Sequence, residues 1–226
     1  MILNFLPFNN TYAIGDIHGC RKTLQKLVES LPLNSDSLLI FLGDYIDRGP
    51  DSKGVTDYLL ELRKNHNCRF LRGNHEYLML DYFNTFDLKH WLQNGAQKTI
   101  ESYGYSGGHF ILPDDHLHFY LSGEYYIDSP DYFFVHGGIR PEKTVVENLK
   151  SYSKVDMLWE RDHLKADFLN WEKTVICGHT PRQQPIIREK LISIDTGCVY
   201  GTTFGLGNLT AIQLPSRKIF QECYCE

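Results

Sequence analysis

No stretch of this 226-residue chain approaches 18 consecutive apolar residues, so no membrane span is expected. Residues Met1 to Phe8 carry no basic segment and no small-residue cleavage site. A secretory signal is therefore not expected, and the sequence reads as cytoplasmic. An excess of positive charge is missing too. The chain has 23 Lys and Arg against 28 Asp and Glu, a net charge of -5, which excludes a nucleic-acid binder of the bulk-basic kind. Cysteine is sparse, at six residues without regular spacing, and reads as reduced thiol rather than a disulfide framework. Cys223-Tyr224-Cys225 is too tight for a metal knuckle and reads as a terminal strand. There is no G-x-x-x-x-G-K-[ST] phosphate loop, and Gly205-Leu206-Gly207 lacks the third glycine of a dinucleotide fingerprint. Cys177 is followed by Arg182 at a spacing one short of a cysteine-dependent phosphatase loop. Repeats, low-complexity runs and linkers are absent, so residues 1–226 read as a single domain.

What is present is a series of short apolar runs. Thr11 to Ile14, Leu38 to Leu42, Arg69 to Leu71, Tyr132 to Val135, Thr174 to Cys177, Leu191 to Ile194 and Leu209 to Leu214 read as strands. Most are continuous rather than alternating, which suits strands covered on both faces. Between the first three lie helical patterns. Leu24, Leu27, Val28 and Leu31 share one face, as do Val55, Tyr58, Leu59 and Leu62. The alternation of strand and helix argues for α/β architecture. A segment from 76 to 126 looks helical and aromatic, interrupted at Gly104 and Gly107-Gly108, and could cap a site. Its aromatics read mainly as core. Ser129-Pro130-Asp131 reads as a hairpin turn.

Chemistry-bearing residues fall just after the strands: Gly15-Asp16-Ile17-His18-Gly19, Gly43-Asp44-Tyr45-Ile46-Asp47-Arg48-Gly49, Arg72-Gly73-Asn74-His75-Glu76, His136-Gly137-Gly138 and Gly178-His179-Thr180. Loops at the carboxyl ends of parallel strands converge on one crevice. Five loops of buried Asp, Asn and His need partners, and a shared metal site supplies them. Asp16, His18, Asp44, Asn74, His136 and His179 are oxygen and imidazole donors without thiolate, which suits Mn, Fe, Zn or Mg. Six are too many for one open zinc site and fit two ions sharing a carboxylate. Arg48, Arg72 and Arg161 are candidates to bind phosphate oxygens.

The set G-D-I-H-G, G-D-Y-I-D-R-G, G-N-H-E, H-G-G and G-H-T resembles the PPP-type metallophosphoesterases, which include the protein serine/threonine phosphatases, the phage lambda phosphatase and bacterial relatives. The motifs run from 15 to 180, and the strand pattern beyond them fits as well. The resemblance implies an α/β metallophosphoesterase (calcineurin-like) fold, a β-sandwich flanked by helices. It implies two divalent ions, manganese first among the candidates. Asp16 and His18 would hold one ion, Asn74, His136 and His179 the other, and Asp44 would bridge. His75 would be the general acid and Asp47 its orienting carboxylate. Arg48 and Arg72 would grip phosphate. Arg161, in an L-W-x-R match, would be a third phosphate arginine, and Asp195-Thr196-Gly197-Cys198 a structural segment beside the site. The implied reaction is in-line attack of a hydroxide shared by the two ions.

On this reading the protein is a phosphomonoester hydrolase. It would be a monomeric protein phosphatase acting on phosphoprotein or phosphopeptide at serine, threonine or tyrosine, with no nucleic-acid or membrane partner. The alternative is a symmetrical diadenosine tetraphosphate hydrolase. That pattern commonly lacks the aspartate of D-R-G and reads G-N-H-D, so Asp47 and Glu76 weigh toward the monoester. A non-catalytic metal-binding module is a third reading.

Overall fold

The computed structural model describes residues 10–105 and 109–226. The expectations for Met1 to Phe8 and for Gly107-Gly108 lie outside the described residues. Two five-stranded sheets are stacked face to face. In the first, β9 (Asn208–Leu214) pairs with β10 (Lys218–Cys223) on one side and β1 (Asn10–Ile14) on the other. Beyond β1 follow β2 (Ser37–Phe41) and β3 (Asn67–Phe70) in parallel. The second sheet runs β4 (Tyr126–Asp128), β5 (Tyr132–Val135), β6 (Thr174–Cys177), β8 (Leu191–Ser193), β7 (Ile186–Ile187), with β5, β6 and β8 parallel.

Successive side chains of a strand point to opposite faces, and the core follows that period. Ala13, Ile40, Phe134, Ile176, Ile192 and Ile212 fill the space between the sheets. Tyr12, Ile14, Leu39, Phe41 and Ala211 point outward under the helices on the first sheet. Phe133, Val135, Val175 and Leu191 do the same on the second. Both faces of each sheet are therefore buried, which is why the strands read as continuous apolar runs.

The helices α1 (Arg21–Ser30) and α2 (Ser52–Asn65) carry the parallel crossovers, burying Leu24, Leu27 and Val28 from one and Val55 and Leu59 from the other. Asp51 caps α2 by accepting the Gly54 N–H at 2.8 Å. Residues 76–126 contain most of α3 (Asn74–Thr85), then α4 (Lys89–Leu92), α5 (Ala96–Ser102) and α6 (Asp114–Leu121). Tyr82, Trp91, Phe119 and Tyr120 of this segment are core, as the aromatic pattern implied. α7 (Val145–Ser151) covers the second sheet, capped by Thr144 with Glu147 reaching back to it. The terminal strand ends at Cys223 rather than Cys225. The last residues turn over α1, where the Glu226 carboxylate accepts the N–H groups of Lys22 and Thr23 at 3.1 and 2.8 Å. These donors are the orphan N–H groups of the helix start.

Candidate active site

Because β1, β2 and β3 are parallel, as are β5, β6 and β8, their carboxyl ends lie at one end of the sandwich. Asp16, Asp44 and Asn74 follow the first three; His136, His179 and Asp195 follow the others. The backbone there is strained. His18, Asp44, Asp47, Arg48 and His179 all have positive φ, between 48° and 72°. Left-handed backbone costs a non-glycine residue roughly 1–2 kcal/mol. Such strain concentrates at functional sites and persists only where packing enforces it. Gly73 is required for a different reason: a Cβ there would run into Asp44 and its backbone N.

Glu76 organises these turns. It is 1% exposed, and its carboxylate accepts the backbone N–H groups of Asp44 (2.9 Å), Tyr45 (2.8 Å) and Gly73 (2.9 Å). One side chain thus ties the loop after β2 to the start of α3. This role is legible only as the Glu at the third position of a helix start.

The ligand candidates converge on Asp44. Its Oδ2 is 3.5 Å from His18 Nε2, 3.4 Å from His136 Nε2 and 4.0 Å from His75 Nε2. Two triads of donor atoms form, His18–Asp44–His75 and Asp44–His136–His179, with Asp44 common to both. Asn74 Oδ1 lies 2.9 Å from His136 Nε2 and 2.8 Å from His179 Nδ1. Asp16 stands outside the two triads, accepting the His179 N–H at 3.1 and 3.0 Å. It lies beside Asp195, whose own carboxylate accepts the Gly197 N–H at 2.8 Å.

These residues fit divalent cations, on the chemistry of the donor set. His18 Nδ1 and His136 Nδ1 each donate to a carbonyl, Ile46 O at 2.7 Å and Leu42 O at 2.9 Å. Both Nε2 lone pairs then face inward, the arrangement of metal-binding imidazoles. There, when the rings are neutral, they meet the Asp44 carboxylate and, at His136, the Asn74 amide oxygen, contacts that a bound cation or a ring proton must bridge. The electrostatics agree. Burial opposes charge on Asp44, but His136, His75 and His18 outweigh it and hold its carboxyl well below the usual range. Burial likewise disfavours a charged His136, yet Asp44 and Asp16 lift its pKa to about 10. The site attracts positive charge. Asp16 is pushed well up by burial and by the adjacent Asp195, another pair of carboxylates short of a counter-ion.

His75 is fully buried, and its Nε2 has no hydrogen-bond partner among the described residues. Its Nδ1 lies 2.7 Å from Asp47 Oδ2. Asp47 is itself held by donors that the motifs did not point to. Trp91 Nε1 donates to both carboxylate oxygens (3.1 and 2.9 Å), and Thr99 Oγ1 donates to Oδ1 at 2.6 Å. α4 and α5 therefore support the site from behind. Burial pushes the Asp47 carboxyl up to about 8, against those hydrogen bonds, and drives His75 down to about 4. Both shifts favour an uncharged pair. With one proton shared between Oδ2 and Nδ1, the other ring proton sits on Nε2, facing the cluster.

Two of the three arginines reach the site. Arg48 Nη1 lies 2.9 Å from His18 Nε2, and Arg161 Nε donates to His179 Nε2 at 2.9 Å. Arg48 makes no pair with its neighbour Asp47, whose oxygens belong to His75, Trp91 and Thr99. Arg72 departs from the expectation. Its guanidinium turns away and donates to the Tyr120 and Leu121 carbonyls (3.2 and 2.9 Å) and to Tyr125 Oη (3.1 Å). Those carbonyls close α6, and uncapped helix-end carbonyls attract a cation. A cleft of about 230 Å³ opens over the cluster, lined by Asp44, His75, Arg48, Arg161, Trp159 and Tyr200 among others.

The model of the calcineurin-like phosphoesterases matches residues 10–211. The chain belongs to that family. Its members are hydrolases of the metallophosphoesterase superfamily, and the two-sheet sandwich built above is their fold. This phosphoesterase is 27% identical over 229 residues to an asymmetrical bis(5'-nucleosyl)-tetraphosphatase PrpE from Geobacillus, which covers 90% of this chain and 93% of the relative. The protein of the same name from Anoxybacillus flavithermus is 29% identical, covering 91% and 90%. Among solved structures, a candidate diadenosine tetraphosphatase superposes with a TM-score of 0.66 at 21% identity, over 96% of this chain and 94% of that one. Among the described residues no helix is long and apolar enough to cross a membrane.

Proposed function

We propose that this phosphoesterase hydrolyses a bis(5'-nucleosyl) tetraphosphate, cutting one phosphoanhydride bond asymmetrically into a nucleoside triphosphate and a nucleoside monophosphate. The observation that carries the substrate is the name borne by relatives that align with nine-tenths of the chain. The chemistry is carried by His75, a buried imidazole whose free Nε2 faces an Asp44-centred donor cluster. The alternative of the sequence reading is thus favoured over the phosphoprotein, in its asymmetrical rather than symmetrical form. Glu76, which had weighed toward the monoester, is fully engaged with backbone N–H groups and bears no relation to the leaving group. Asp47 holds a proton on His75 for whichever oxygen departs.

Asp16, His18, Asp44, Asn74, His136 and His179 would hold two divalent ions, with Mn²⁺ the first to test. When bound, such ions acidify a water and screen phosphate charge. Arg48 and Arg161, on His18 and His179, stand where they can transfer their hydrogen bonds to non-bridging phosphate oxygens. A water oxygen joins phosphorus and gives up one proton to solvent, the bridging oxygen leaves with the electron pair, and His75 Nε2 gives that oxygen a proton that solvent then restores to the ring. Asp47 keeps the ring aimed throughout.

The test is product analysis of diadenosine tetraphosphate and a phosphoserine peptide, side by side, with Mn²⁺ and with EDTA. Metal-dependent release of AMP and ATP is the expected result. Phosphate release from the peptide with the dinucleotide intact would overturn the proposal, and ADP as the sole nucleotide product would overturn its asymmetry.

A further inference from the structure

Two aromatic side chains stand in the wall of the cleft without a part in the chemistry above. Trp159 is 37% exposed and Tyr200 is 39% exposed, and both line the space over Asp44 and His75. The other two tryptophans, Trp91 and Trp171, are 1% and 0% exposed, so the fold buries indoles readily elsewhere. Each ring has a neighbour from the site. Trp159 follows a 3-10 turn (Asp156–Leu158), and its ring packs perpendicular to that of His179, with centres 5.9 Å apart and planes at 86°. Tyr200 ends another such turn (Cys198–Tyr200) after the Asp195–Gly197 loop, with the Arg48 guanidinium 6.0 Å from its ring centre. Arg161, two residues beyond Trp159, bonds the same His179. Each aromatic ring thus stands near a guanidinium in the lining of one cleft.

A phosphate next to a planar ring is what that pairing fits; a phosphoserine has no ring to offer, and the dinucleotide reading makes the ring a nucleobase rather than a phosphotyrosine. We infer that Trp159 and Tyr200 form a nucleobase-stacking subsite for the nucleotide whose phosphate lies at the Asp44 cluster. The inference rests on the dinucleotide reading and names the part of the site that recognises the nucleoside. It also places a base immediately beside the reaction centre, so that only a short phosphate bridge separates that nucleoside from the cut. A base held in that position is in keeping with an off-centre cut. Stacking accepts any base with a π-face, so tolerance among bases is expected.

The probes are AMP and ribose 5-phosphate, titrated by calorimetry into the Mn²⁺-loaded protein. Removal of base–aromatic stacking lowers affinity on the order of 5- to 150-fold, and ribose 5-phosphate is expected to bind that much more weakly than AMP. AMP should also quench tryptophan emission saturably, and Trp159→Phe should abolish the quench because the remaining indoles are buried. Equal affinities for the two probes, or a quench that survives in Trp159→Phe, would overturn the subsite. A substrate arm separates the two readings. If the dinucleotide resists cleavage while AMP still outbinds ribose 5-phosphate, the subsite stands and the proposed reaction falls. If AMP and ATP form while Trp159→Leu and Tyr200→Leu retain the native KM, the reaction stands and the subsite falls.

Discussion

Replacement of His75 by Asn puts the proposed chemistry under the most direct strain. Nε2 makes no hydrogen bond among the described residues, so the substitution removes a proton donor without breaking a contact seen there. General acid catalysis contributes about 10²–10⁴ in rate, or roughly 3–5 kcal/mol of barrier, and only to the extent that the leaving oxygen needs a proton. The loss in kcat/KM should therefore grade with the leaving group. It should be greatest for an alkyl phosphate such as phosphoserine, intermediate for diadenosine tetraphosphate and least for p-nitrophenyl phosphate. The native enzyme should show a matching pH limb. Burial holds the Asp47 carboxyl up at about 8, so the Asp47–His75 pair keeps its shared proton below that pH and gives it up above. Rate should fall on the alkaline side near pH 8, and the limb should vanish in His75→Asn. Equal losses on all three substrates, or an alkaline limb that persists in the variant, would refute His75 as the acid.

Glu76→Gln sets an amide NH₂ against backbone donors now satisfied by one carboxylate. Hydrogen bonds to a charged group contribute about 1.5–3 kcal/mol each, so a fall in stability of about 2–4 kcal/mol is expected in denaturant melts, with weaker metal binding by calorimetry. A variant as stable as the parent would show the turns to be self-supporting. His163 is fully buried, and burial lowers its pKa to about 4. Its unfolded form takes up a proton near 6.5 and its folded form does not, so the unfolded chain binds more protons between those values. Stability should fall by up to about 3 kcal/mol as pH drops from 6.5 to 4, and His163→Phe should flatten that slope in melts followed across the range. EDTA should lower Tm as well as activity, because binding at 100 times Kd adds about 2.7 kcal/mol. A Tm indifferent to Mn²⁺ and EDTA would count against the donor cluster as a cation site.

The two-sheet sandwich was legible because its strands are covered on both faces. Leu38 to Leu42 divides into Leu38, Ile40 and Leu42 between the sheets and Leu39 and Phe41 beneath the helices. A strand with one solvated face would have read as an alternation. The helix faces of α1 and α2 were legible from the spacing of Leu24, Leu27 and Val28 and of Val55 and Leu59. Short elements were less so. β7 has two residues, and too few side chains are involved for a period to emerge.

Legibility at the site followed chain locality. Residues that act from the loop in which they stand, such as Asp44, Asn74 and His136, are visible as polar residues beside glycine at strand ends, and the structure brings them together. Residues that act across the fold are not visible in that way. Trp91 and Thr99 meet Asp47 from 44 and 52 positions away, and in sequence they are an aromatic and a hydroxyl on unremarkable helices. Arg72 illustrates the opposite case. It occupies a motif position, but the end of α6 competes for its guanidinium, and that competition is set by where residues 120 and 121 pack. Substrate choice belongs to the same class. The side chains proposed to bear on it, Trp159 just after one 3-10 turn and Tyr200 at the end of another, are far apart in sequence, and only folding sets them on one cleft. The motifs that announce phosphoryl chemistry carry donors suited to metal and a candidate acid, parts that any phosphate ester or anhydride requires. What distinguishes one phosphate from another must be read from the surfaces next to those motifs, and those surfaces are long-range products of the fold.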